Sequence, residues 1–158
     1  MALKADRHEL ETDISFFMNE TATRGGIVVF STAGSGAAMD SSAALVTGTV
    51  ASGNGPVGLL LNDMGNLDLT RQHINWHKDE VQKGGKVTLL KKGWVVTNNI
   101  TGTPTAGAPA YVASNGNLTT ARTLDASMAP VGRFLSLKDE DDYAKVEINL
   151  PSFVHNNA

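Results

Sequence analysis

His73 and His77 stand four residues apart, the spacing at which two imidazoles on one helical turn reach a shared metal ion. The zincin pattern also needs a glutamate directly after the first histidine, and Ile74 occupies that place. If the segment is a strand, the spacing loses this meaning. The chain has no cysteine, and its other histidines, His8 and His155, lie at opposite ends. Asp139, Glu140, Asp141 and Asp142 are four consecutive carboxylates, whereas calcium loops need a longer, spaced pattern; a solvated turn is the simpler reading. Gly34-Ser35-Gly36 and Lys83-Gly84-Gly85-Lys86 look like phosphate loops only superficially, since Val87 follows Lys86 where a Walker motif requires Ser or Thr. No serine sits in a Gly-x-Ser-x-Gly elbow. The sequence therefore nominates no catalytic, metal or cofactor residue, and a non-enzymatic protein is expected.

A second group of residues points to binding. Arg71, Lys78, Lys83, Lys86, Lys91 and Lys92 cluster with Trp76 and Trp94, interrupted only by Asp79 and Glu80. Cations with interleaved aromatics can grip a nucleic-acid strand. The whole-chain balance runs the other way: 13 basic against 16 acidic residues give a net charge of −3, where phosphate-binding domains need a basic surface. No direct nucleic-acid contact is expected, and a patch that docks on an acidic protein surface fits equally well. Arg71, His73, Trp76 and His77 are interface candidates on this reading, and Trp94 is expected in the core.

The elements that must position these residues are short. Gly, Ala, Ser, Thr and Asn dominate the chain, while aromatics make up 6% and charged residues 18%; that mixture suits brief strands joined by many turns. The longest apolar runs, Ile27–Phe30 and Val57 with Leu59–Leu61, fall far short of a membrane span. The N-terminus turns charged before any signal-peptide core, so synthesis and retention in a cytoplasm are expected, with no membrane partner. Strands are predicted over Ile27–Ser31, Leu45–Ala51 and Val57–Leu61, then at Val87 and Leu89, and again over Trp94–Thr97 after a turn at Lys91-Lys92-Gly93. Leu67–Gln82 fits both a helical face and strand alternation, and extended structure is the preferred reading. Ala110–Ala113 and Leu118–Thr120 form a hairpin about Asn115-Gly116. In the last hairpin, Val131–Leu137 returns through the acidic turn into Ala144, Val146, Ile148 and Leu150, the period-2 pattern of a strand buried on one face.

These segments predict an all-β fold, a small barrel or sandwich of about eight or nine short strands. Residues 25–151 form the β domain and 152–158 a tail. Residues 1–24 are expected as an extended N-terminal arm, with Ile14, Phe16, Phe17 and Met18 as its contact groups; a short helix over 6–18 is the competing reading. An arm of this kind can add a strand to a neighbour's sheet edge.

The succession Ala108-Pro109-Ala110-Tyr111-Val112, Asn115-Gly116-Asn117-Leu118-Thr119, Pro130-Val131-Gly132-Arg133-Phe134 and Ala144–Leu150 resembles the small capsid decoration, or cement, proteins of tailed phages. Pro56–Leu61 and Gly85–Leu90 fit the same style, so the resemblance spans roughly residues 45–150. It implies a β-barrel or sandwich that forms homotrimers on the outer surface of the capsid. There it would bind the major capsid protein, bridge capsomers and stabilise the shell, with no catalytic residues. The other reading of the same residues is a tail or fibre module that binds host glycans through an exposed Trp76.

Overall fold

The computed structural model describes residues 3–31, 45–50, 55–63, 67–68, 73–74, 80–122 and 129–150. They are all-β, as expected, and contain no helix. The strands are β1 (Leu3–Met18), β2 (Ala22–Thr23), β3 (Ile27–Phe30), β4 (Leu45–Thr47), β5 (Pro56–Asp63), β6 (Leu67–Asp68) and β7 (His73–Ile74). They continue with β8 (Glu80–Val81), β9 (Lys86–Thr97), β10 (Ile100–Thr101), β11 (Pro109–Val112), β12 (Leu118–Thr119), β13 (Gly132–Phe134) and β14 (Ala144–Asn149). The excess over the expected number consists of two-residue strands, too short for any periodicity to show.

Five of the strands close on themselves. β1 pairs β4, β4 pairs β3, β3 pairs β5, β5 pairs β9, and β9 pairs β1. Each of these strands contributes to one apolar interior: Met18 from β1, Val28 from β3, Val46 from β4, Leu60 from β5, and Val87 and Leu89 from β9. From the far half of β9 the sheet continues through β14, β13, β11, β12 and β10. That extension covers the other face of β3 and β5, and a second core fills the space between them with Ile27, Val29, Leu59, Leu61, Val112, Leu118, Phe134, Val146 and Ile148. The continuous runs Ile27-Val28-Val29 and Leu59-Leu60-Leu61 follow directly: both faces of these strands are buried, so apolar residues do not alternate with polar ones. β14, buried on one face only, does alternate; Ala144, Val146 and Ile148 are buried, while Lys145, Glu147 and Asn149 reach solvent.

β9 is the spine of the molecule. Its residues pair β1 along one edge, and β5 and β14 share the other, so that Leu90 faces both Thr12 and Leu59, and Trp94 both His8 and Glu147. The turn expected at Lys91-Lys92-Gly93 is absent, because the strand runs through it with a bulge. The β1 register shifts between Glu9, Glu11 and Thr12 opposite this point, and Gly93 has φ 142°. A Cβ there would sit 2.0 Å from the His8 carbonyl oxygen, so only glycine permits β1 to lie this close. An extra residue exchanges the two faces of a strand. Leu90 and Val95 thus face the same core although they are an odd number of residues apart, and Lys91 and Lys92 are kept at the surface.

Candidate assembly surface

The segment expected as an arm is a strand of its own domain over residues 3–18. β1 runs antiparallel to β9 from Leu3 opposite Thr97 to Phe17 opposite Lys86, then turns parallel to β4 through Phe17 and Met18. The competing helix over 6–18 is ruled out by the same pairing. Two buried side chains hold the strand at its ends, Leu3 and Met18. Between them it is exposed on both faces at most positions. Polar contacts to β9 supplement the backbone: Lys91 Nζ lies 3.2 Å from Asp13, and Lys92 Nζ 3.5 Å from Glu11. Two of the lysines that suggested a nucleic-acid patch are therefore paired with carboxylates of β1. Such surface pairs contribute little, on the order of 0–1 kcal/mol each.

The four arm candidates divide. Met18 is a core residue, 1% exposed. Phe16 packs against the barrel interior and meets Phe30 edge-on, ring centroids 5.9 Å apart. Ile14 and Phe17 remain exposed, at 47% and 39%, as do three residues that sequence reasoning passed over, Leu10 at 71%, Phe30 at 44% and Leu137 at 64%. Leu10 could have been found, since it belongs to the same every-second-residue series as Ile14 and Phe16; Phe30 could not, because it ends a run whose other members are buried.

The end of β1 is locked by a carboxylate. Glu20 accepts hydrogen bonds from the Thr47 hydroxyl, the Thr49 backbone N–H and the Thr49 hydroxyl, all on the far side of the seam between β1 and β4. Burial pushes its carboxyl up, but these bonds favour the charged form more strongly and hold it below the ordinary glutamate range. Glu20 lines a cleft of about 270 Å³ with Thr21, Thr23, Thr49, Asn99, Asn115 and Asn117. The floor is a junction of loops: Ile27 N–H donates to the Gly116 carbonyl at 2.8 Å and Val50 N–H to the Ser114 carbonyl at 2.9 Å. Gly116, at φ 80°, has the Gly48 and Ile27 carbonyl oxygens 2.8 Å from where a Cβ would stand. The predicted Asn115-Gly116 hairpin is present, with Tyr111 opposite Thr119 and Val112 opposite Leu118, and its loop is part of the packing.

Trp94 is not in the core. The bulge at Gly93 places it half-buried on the outer face, stacked on His8 at 6.4 Å and covered by Lys145 Nζ 3.6 Å from the ring centroid. The acidic turn is self-contained: Asp139 accepts from the backbone N–H groups of Asp141 and Tyr143, and Asp142 takes φ 66°. His73 lies in β7, paired with β6 through Asp68, so its segment is extended there and the helical metal spacing does not apply. Arg71, Trp76 and His77 lie outside the described residues. Among the described residues no three His, Asp or Glu side chains converge as metal ligands.

What these residues form is a filled two-core β protein with apolar groups left over at its surface. A search of curated proteins found no match. Residues 5–150 match the family model described as XM1 gp53 minor capsid protein, which covers the barrel, the extension and almost all of β1. The chain belongs to this family of phage minor capsid proteins and is a structural component of the virion.

Proposed function

We propose that the protein sits on the outer surface of the phage shell as a homotrimer and stabilises the shell by bridging neighbouring capsomers of the major capsid protein. It acts without catalysis, cofactor or nucleic-acid contact, and assembles onto shells in the host cytoplasm. The observation that carries this reading is the exposure of Leu10, Ile14 and Phe17 on β1 and Phe30 on β3, in a chain whose two cores are already filled from its own strands. Exposed apolar side chains that the fold does not need are groups a partner surface would cover. Threefold symmetry would present each contact three times, so modest single contacts suffice. The absence of cysteine suits a reducing compartment, where packing and not disulfides must stabilise the chain. The glycan-binding alternative rests on Trp76, which lies outside the described residues.

Light scattering and co-sedimentation test the proposal. The purified protein should have about three times its chain mass of 16.6 kDa and should pellet with empty shells of the major capsid protein. The triple variant Leu10→Ser, Ile14→Ser, Phe17→Ser should remain folded and stay in the supernatant. A monomer that ignores shells would refute the proposal. Unchanged pelleting of a folded triple variant would remove these residues from the contact.

A further inference from the structure

We infer that residues Leu3–Thr12 of β1 are exchanged between copies in the assembled protein, each arm lying along β9 of a neighbouring subunit. The inference rests on the homotrimer reading and specifies its interface. Several independent observations converge on this stretch. Its pairing with β9 is irregular, with register shifts between Leu3 and Arg7, Glu9 and Glu11, Glu11 and Thr12, and Asp13 and Phe16. Leu3 is its single buried side chain. Residues 16–20, by contrast, are woven into the barrel: Met18 N–H donates to the Gly85 carbonyl, Gly84 N–H to the Met18 carbonyl, and Asn19 N–H to the Val46 carbonyl, with Glu20 clasped beyond them.

Between the loose and the fixed part lies an irregularity of the strand. The Asp13 carboxylate accepts from both the backbone N–H and the hydroxyl of Ser15, within the last register shift. A segment that pivots here keeps the barrel closed. Residues 3–12 are taken up by the pairing itself, so Asp13–Ser15 form the connection, about 10 Å when extended, and the exchange sets the pivot of one subunit directly beside β9 of the next.

The occupant is a second copy, because the acceptor edge of β9 is already shaped for this segment. It offers Lys92 to Glu11, the Trp94 ring to His8, the Gly93 gap to the His8 carbonyl, and a buried seat in the main core to Leu3. All of these are the same whichever subunit supplies the strand. Exchange therefore needs no new contact surface and links the subunits at little cost. A closed ring further favours it, since each arm faces its acceptor at high effective concentration.

The cysteine-free chain makes the test direct. Glu11 and Lys92 are cross-strand partners, both about half exposed. Variants Glu11→Cys and Lys92→Cys would be made separately, refolded together from denaturant and oxidised, so that any disulfide between the two positions joins different chains. A mixture of Glu11→Cys with Leu137→Cys, exposed on a different loop, measures collisional cross-linking. Exchange predicts at least a fivefold excess of the linked pair over that control on a non-reducing gel. The double variant Glu11→Cys, Lys92→Cys decides the opposite case. If it closes within single chains and the mixed sample gives only the control level, while light scattering still reports a trimer, the exchange is wrong and the homotrimer stands. If the protein is a monomer, both fall.

Discussion

At the C-terminal end of β1 a single carboxylate bridges a seam that the backbone closes with only two residue pairs, Phe17 with Leu45 and Met18 with Val46. Glu20 accepts from three groups of Thr47 and Thr49 and is held charged below the ordinary value of 4.5 by them, against the opposing effect of burial. A carboxyl whose folded pKa is depressed contributes stability above its unfolded pKa, and that contribution is lost as pH falls through the folded value. Glu20→Gln should therefore lower stability at pH 7 by about 1–2 kcal/mol in urea unfolding. The gap between variant and parent should begin to narrow as pH falls past 4.5 and should close once pH is below the depressed folded value, where the parent's own carboxyl is protonated. A difference independent of pH would mean that the clasp acts through packing and not through charge. Gly116 is a second point of this kind. Gly116→Ala would force a side chain into φ 80° and against two carbonyl oxygens, and should cost at least about 2 kcal/mol by the same measurement.

The element that decides how the chain behaves is β1, because it is two things in sequence. Residues 16–18 are barrel wall, with Met18 in the interior; residues 3–12 are a surface strand held by backbone pairing, Leu3 and exposed ion pairs. Truncation separates the two. Removal of residues 1–12 should leave a cooperatively folding protein, with a stability loss of about 1–3 kcal/mol dominated by Leu3. Removal of residues 1–24, which an arm free of the domain would tolerate, takes away Met18 and Glu20 as well, and should abolish the cooperative thermal transition in circular dichroism. Equal behaviour of the two truncations would contradict this division of the strand.

Over the whole molecule, the barrel and the extension are not separable. β3 and β5 put one face in each core, and β9 belongs to both, with Leu89 in the barrel and Leu90 in the larger cluster. Damage to either core must propagate through these shared strands. Phe134, fully buried in the larger cluster, lies on β13, far along the sheet from the barrel. Phe134→Ala should cost about 3–5 kcal/mol, and the barrel should melt in the same transition as the extension. Tryptophan fluorescence, read from Trp94 alone in a Trp76→Phe background because the chain has two tryptophans, and far-UV circular dichroism should give coincident curves. Two resolved transitions would show that the halves fold independently.

Much of this architecture was legible in the sequence, because some signals are local. The all-β class followed from turn-forming residues and short apolar runs, and the final hairpin from its alternation, which one-sided burial on β14 imposes. The Asn115-Gly116 turn followed from glycine's freedom at positive φ. The doubly buried strands also announced themselves as unbroken runs, Ile27-Val28-Val29 and Leu59-Leu60-Leu61. Tertiary structure decided what depends on distant partners. Gly93 looks like a turn residue, yet it is a bulge because the His8 carbonyl comes close from a strand about eighty-five residues earlier. That bulge turned Trp94 outward and brought Lys91 and Lys92 beside Asp13 and Glu11. Likewise, β1 has too few buried residues to declare itself part of the domain; its place is set by the open edge of β9 and by the carboxylate that ties it to β4. Local chemistry determined which segments are strands, and long-range closure of the sheet determined which faces they show and which of their side chains are left for a partner.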